Sequence, residues 1–519
     1  MNQRKNFLAD AMAGGSKKTA AQQQPASSGL GRRVALAVAV LLATTAGLAA
    51  RWLHSADRMW LPPLCGCCNI GCPEVVYEAG SMTDARFKPL KAMLRRFVED
   101  GVFPAGRVAV VHKGELVADF VASTAQACMR PLTHELGPFT ELDYTHVYSS
   151  GKAMEALAIG WLVDRGHLRW EDRLGDLWPE FACNGKEHIT LVQFMRHEAD
   201  LAWFNETVPT VDELNSPKMT EIVAKMRHNN IKTDGSPPRR IYHSLSRGMI
   251  LSELTKKVDP KNRTLGQILQ QEFVEPMGFS SDTDLRQTGL DDKAEPHLSA
   301  QSCLTLLYPK WPMMARMMLG PYGLAPPLTS AGSFVMNSFA DADSVFGLSV
   351  LHSVPIGSMI GDLEDVDALN FNSFGYRRQE VSSAATQAKA NVMAALASTL
   401  TPSGWRGKPY LSQAFREAAM ANATIVPDGL DHMRFIHISN AGLFAVRKTD
   451  CARLSADCSH WPDDERLIGW VGAGGSMIAA SPDHDWAFAF NMPSFYDAMA
   501  CISQQHMSMA SFISNTLRS

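Results

Sequence analysis

The chain has 519 residues, 46% of them hydrophobic and 20% charged, and a formal net charge of -4 at pH 7. That length suits one large two-lobed domain or two to three smaller ones, and the composition is globular rather than disordered. Slight acidity, without a basic stripe interleaved with aromatics, excludes nucleic acid as the expected partner. Small molecules or other proteins remain, and no protein partner is specified by the sequence.

Residues 1–33 are polar and aperiodic, with Arg4, Lys5, Lys17, Lys18, Arg32 and Arg33 against Asp10 alone, and are expected to form a disordered basic tail. An uncharged run from Val34 to Ala50 follows, closed by Arg51 and extendable through Trp52 and Leu53. Residues 34–53 therefore read as a transmembrane signal anchor, with the basic side cytosolic and the globular part lumenal or extracellular. A cleaved signal peptide ending near Gly47-Leu48-Ala49 and a mitochondrial import sequence are the alternatives. Residues 54–82 form a stalk carrying Cys65, Cys67, Cys68 and Cys72. No second paired cluster or nearby histidine completes a known zinc spacing, so the expectation is no metal and either palmitoylation or disulfides. Asn205, Asn262 and Asn422 head Asn-x-Thr tripeptides, glycosylation acceptors if the chain enters a secretory lumen.

Residues 83–519 read as the folded domain. Phe87, Leu90, Leu94, Phe97 and Val98 predict a helix over 83–99 ending near Gly101. Two β-rich runs, Arg107–His112 and Leu116–Phe120, flank Lys113-Gly114-Glu115 as a hairpin. Met154, Leu157, Ala158, Trp161 and Leu162 predict an amphipathic helix over 153–165, with Gly166 as its stop. From about 150 to 375 the pattern is mainly helical, with 280–375 long and irregular, as in a partner-binding insertion or a lid. Strand patterns return at 437–446, and at 477–480 and 486–490 as a second hairpin, before a closing helix over Ala498–Leu517. The expected fold is α/β (α+β): one antiparallel sheet flanked by terminal helices, with an inserted helical lobe.

Tyr148-Ser149-Ser150-Gly151-Lys152 opens the helix at 153. A serine hydroxyl is a weak nucleophile until a base withdraws its proton, and a lysine one helical turn away, screened from water, can supply or support that base. The spacing alone equally fits an N-capping serine and a solvated lysine. Tyr242-His243-Ser244, after Pro237-Pro238 and before a helical run over Gly248–Val258, adds a second proton-transfer candidate. Gly469-Trp470-Val471-Gly472-Ala473-Gly474-Gly475-Ser476 precedes the final hairpin. Its glycines allow close approach of strand backbone to a ligand.

With these three elements in this order, the chain resembles the serine β-lactamase/penicillin-binding-protein fold, in its class C β-lactamase-like branch with the family VIII carboxylesterases. The resemblance covers roughly 85–519. It extends to Phe103-Pro104-Ala105-Gly106, to Leu174–Phe181, to Ile189–His197 and to Glu380-Val381-Ser382-Ser383 with the alanine-rich helix behind them. It implies Ser149 as nucleophile, Lys152 and Tyr242 as proton-transfer groups, and the backbone N–H groups of Ser149 and Ala473 as an oxyanion hole. Ser244, Trp470 and Gly472 fall at substrate-binding positions, and no cofactor is implied. His197 is expected to be structural, with a catalytic role as the alternative.

Two departures bear on the substrate. Ser244 stands where the lactamases more often have asparagine. Trp470 stands where they have a lysine or histidine whose charge helps hold a carboxylate, whereas the esterases commonly carry Trp-x-Gly there. The implied function is a membrane-anchored serine hydrolase, an esterase acting on small or lipophilic esters (or amides). A catalytically silent scaffold or assembly protein is the rival, and β-lactamase or D,D-peptidase activity a further alternative.

Overall fold

The computed structural model describes residues 72–130, 133, 135–206, 216–229, 240–287, 303, 306–307, 377–421, 437–453, 458–472, 474–495 and 502–519. Its frame is an eight-stranded antiparallel sheet. The strands are β1 (Tyr77–Met82), β2 (Ala105–His112), β3 (Glu115–Ser123), β4 (His437–Ile438), β5 (Phe444–Val446), β6 (Leu467–Val471), β7 (Met477–Ser481) and β8 (Trp486–Asn491). Their spatial order is β1-β3-β2-β8-β7-β6-β5-β4. Both expected hairpins are present, and they meet where β8 pairs with β2, Phe488 opposite Val110. The two ends of the chain thus complete one sheet, as their strand patterns predicted.

Consecutive strand residues face opposite sides. Every residue of β6, β7 and β8 is buried, so both faces of the sheet centre are covered. Helix α1 (Lys88–Glu99) packs on β2 and β3 and against the closing helix α5 (Gln504–Arg518), and α4 (Ala390–Ser398) lies on β2, β7 and β8. Phe87 meets Phe512 edge to face, joining the two termini of the domain.

Helix α2 (Gly151–Asp164) differs from its expectation. The stripe predicts an amphipathic helix with one buried face, yet Gly151 through Gly160 are all buried. Its neighbours explain this: α3 (Ser246–Val258), the Leu265–Leu269 and Gln413–Met420 helices, and β6 surround it. A helix covered on all sides can carry apolar residues all round. Its end is as expected, with Gly166 at φ +75.

The stalk boundary also moves. Residues 77–82, assigned by sequence to the 54–82 stalk, form edge strand β1, paired with β3 from Tyr77–Ser123 to Met82–Ala118. This segment alternates weakly, and pairing on an existing edge supplied what its own pattern did not. Cys72 is in a disulfide, so the one described member of the cysteine cluster is not free to bind metal. Cys128 and Cys303 form a second bridge across 175 residues, closing a long loop whose entropy would otherwise favour the unfolded chain. Among the described residues no helix is long and apolar enough to cross a membrane. The tail and anchor at 1–33 and 34–53, Cys65, Cys67, Cys68 and nearly all of 280–375 lie outside the described residues.

Candidate active site

The chain turns into α2 through a single 3-10 turn, Tyr148–Ser150. Tyr148 sits at φ +46, a left-handed conformation that a bulky side chain adopts only where surrounding structure holds it. The turn packs beside β6. Ser149 is half-buried there, while Ser150 is fully buried. Ser476 Oγ donates to the Val147 carbonyl at 2.6 Å, so Ser150 Oγ, 2.9 Å from it, is the donor between the two serines. Ser150 is structural; Ser149 keeps the accessible hydroxyl. At the helix start no side chain caps the backbone, and Lys152 is fully buried. The reading of a capping serine followed by a solvated lysine does not hold.

Tyr242 Oη donates to Ser149 Oγ at 2.7 Å. Lys152 Nζ lies 4.8 Å from the centre of the Tyr242 ring and donates to the carbonyls of Ser244, at 2.6 Å, and Ser383, at 3.2 Å. Burial pulls the Lys152 ammonium down to about 7, with the Arg247 charge adding to the effect and Glu155 opposing it. Burial also pushes the Tyr242 phenol well above its ordinary range, against the lowering effect of its hydrogen bonds with Ser149 and Trp470. The resting site therefore holds a neutral tyrosine beside a lysine poised near neutrality. Desolvation disfavours the charged form of each group.

Trp470 on β6 is buried and stacks on Tyr242, with centroids 6.2 Å and planes 15° apart, and on Phe444 at 6.3 Å. A neutral indole thus occupies the wall next to the tyrosine. Gly472 follows it. A Cβ there would lie 2.2 Å from the Val147 carbonyl oxygen and 2.4 Å from Ser476 Oγ, so only glycine lets this turn press against the segment that leads into Ser149. The Gly472 N–H donates to the Ser476 carbonyl at 2.8 Å and closes the turn. Ala473 lies outside the described residues. His506 on α5 supports the same turn: the Ser503 N–H faces its Nδ1, leaving Nε2 to donate to the Gly475 carbonyl at 3.0 Å.

His197 is buried, at φ +62, with Nδ1 accepting the His243 N–H at 3.1 Å and its ring against Tyr242 and Trp470. Burial, and then the Arg247 charge, hold it well below the ordinary histidine range, so it is neutral packing under the site. Ser244 is brought to the site through its carbonyl. Sequence reasoning missed Glu155, Arg247 and His506, and gave Ser383 and Ser476, though inside quoted motifs, no role of their own. A lone glutamate in the apolar run Ala153–Ile159 was a signal for the first of them.

Residues 90–501 match the family described as Beta-lactamase. The chain is 30% identical over 183 residues to an esterase/beta-lactamase, LipL, of Mycobacterium tuberculosis; the match covers 35% of this chain and spans 38% of that protein's length. Two solved structures share the fold. A penicillin-binding protein homologue from Caulobacter crescentus has a TM-score of 0.61 at 21% identity, covering 85% of this chain and 100% of its own. A family VIII carboxylesterase has a TM-score of 0.60 at 17% identity, with the same coverage of both chains.

Proposed function

This chain belongs to the beta-lactamase family, and from that premise we propose that it is a serine hydrolase, an esterase working through an acyl-enzyme on Ser149. The observation that carries the reading is the 2.7 Å hydrogen bond from Tyr242 Oη to the Oγ of half-buried Ser149, beside a fully buried lysine. Ser149 Oγ attacks the ester carbonyl while its proton passes to the Tyr242–Lys152 pair, with Lys152 in its neutral form. The tetrahedral oxyanion rests on backbone N–H groups, those of Ser149 and Ala473. Its collapse expels the alcohol, which takes the proton back. Water then attacks the acyl-enzyme by the same relay, releasing the carboxylic acid and regenerating Ser149.

The substrate class follows from Trp470, which brings aromatic surface and no charge to the wall beside Tyr242. Small or lipophilic esters suit that wall better than anionic β-lactams or peptidoglycan peptides. The relative's name carries both esterase and beta-lactamase, so it supports serine hydrolysis while the choice of esters rests on Trp470. The test is a fluorophosphonate probe followed by peptide mapping, with a chain-length series of p-nitrophenyl esters beside a chromogenic cephalosporin. Labelling on the peptide bearing Ser149, and faster turnover of esters than of the cephalosporin, are expected. A folded protein that takes no label is instead the silent scaffold.

For topology, residues 34–53 act in this reading as a single-pass anchor, with the domain lumenal or extracellular. The Cys128–Cys303 bridge supports an oxidising compartment. In sealed vesicles carrying the full chain, the domain is expected to resist added protease until detergent is present. Digestion in intact vesicles would place it on the cytosolic side instead.

A further inference from the structure

Beneath Lys152 lies an ion pair that the proposed chemistry does not use. Glu155, one turn along α2, and Arg247, at the start of α3, are both fully buried. Their Oε2 and Nε stand 2.9 Å apart, an ionic contact rather than an aligned hydrogen bond. Removing two charges from water is costly, and well-packed apolar residues in place of a buried pair are often neutral or stabilising. Stability alone therefore accounts poorly for this one.

Its connections run to the site. Glu155 Oε1 accepts the hydroxyls of Ser382, at 2.8 Å, and Ser383, at 2.6 Å. The Ser383 carbonyl is one of the two that hold Lys152 Nζ. Ser383 Oγ in turn accepts the N–H of Gly248 at 2.9 Å, where a Cβ would lie 2.6 Å from Glu155 Oε1. Arg247 Nη2 donates to the Lys152 carbonyl at 3.1 Å, and Nη1 donates to the carbonyls of Met195, at 3.2 Å, and Gly442, at 3.3 Å. Nη1 also lies 3.1 Å from His197 Nε2, and the guanidinium faces the Trp470 ring.

We propose that Glu155 and Arg247 are positioning residues that fix the carbonyl cradle of Lys152 and balance the charge it experiences. The proposal rests on the reading of Lys152 as a proton-transfer group. The groups facing Lys152 are Glu155 from its own helix, Arg247 from α3, Tyr242 and His243 from the segment before α3, and His197 from the turn after the 191–195 helix. Among them the two ions act in opposite senses, the carboxylate favouring the ammonium and the guanidinium opposing it.

The test exploits that opposition. Activity needs neutral Lys152, so Glu155→Gln is expected to move the acid limb of the kcat/KM profile to lower pH, and Arg247→Met to higher pH. A role in packing alone would not produce shifts of opposite sign. Either single variant leaves one buried charge unpaired and risks failing to fold, so the double variant Glu155→Met/Arg247→Leu is the second arm. It is expected to fold, with kcat lowered about tenfold or more and KM much less changed, because a small misplacement of catalytic groups acts mainly on the chemical step. Shifts of the same sign, no shifts, or a folded double variant with wild-type kcat overturn the proposal. The onset of the pH dependence of unfolding, compared between the variants and wild type, reports Lys152 protonation without turnover. A wild type that takes no fluorophosphonate overturns the hydrolase reading, while the onset comparison still decides whether the pair sets that protonation.

Discussion

Ser149→Ala is expected to abolish fluorophosphonate labelling and to lower ester turnover by about 10³-fold or more, the scale seen when a nucleophile is removed from a unit that acts together. Ser150→Ala is expected to keep the label. The difference follows from what each hydroxyl does. Ser149 is half-buried and its Oγ accepts from Tyr242, which leaves it, in the proposed reading, open to a substrate carbonyl beside a proton-transfer group. Ser150 Oγ is buried and donates to Ser476, which itself donates to Val147. Losing that donor costs about 1 kcal/mol of stability, the net worth of an ordinary hydrogen bond, and Ser476 keeps its link to the turn. Intact-protein mass spectrometry of the three proteins after probe treatment checks this. Loss of label in Ser150→Ala alone would show that the nucleophile is the other serine.

Lys152→Met is expected to lower kcat by about 10²–10⁴-fold, the usual contribution of a positioned acid or base, and to change how stability depends on pH. The folded protein holds Lys152 near 7 through burial, whereas the unfolded chain releases that proton only near its ordinary value of about 10.4. Between these values the unfolded state binds one more proton than the folded state, so wild-type stability rises with pH by up to about 1.4 kcal/mol per unit. Below about 7 both states carry the proton, and the full penalty of a buried ammonium remains. Methionine fills the same space without a charge, so the variant lacks this term and its gain over wild type is largest at acid pH. Urea unfolding of both proteins from pH 6 to 10 measures the difference. Parallel stability curves would show that the lysine is not held neutral by the fold.

The two hairpins, α1 and the order of helical and strand segments could be read directly from periodicity, because alternation and the 3.6-residue repeat survive wherever one face meets the core. Helix α2 could be located in that way, but its burial could not. Its stripe looked one-sided, and the covering elements arrive from residues 246–269, 413–420 and 467–471. Strand β1 was missed for the opposite reason, being stabilised by pairing with β3 along an existing edge. At the site, Ser149, Lys152 and Tyr242 were found through motif order. Arg247 carried no such order, since an arginine between Ser246 and Gly248 looks like any helix-surface charge until its neighbours enclose it.

By itself the sequence determined the sheet's hairpins, the family and the candidate nucleophile, because each depends on residues close together in the chain or on motifs in a set order. The tertiary structure decided which of two adjacent serines is fully buried, that burial disfavours the charged forms of both Tyr242 and Lys152, and that an ion pair lies beneath them. Each of those depends on desolvation and on contacts between segments about 90 to more than 300 residues apart, and no local pattern encodes either.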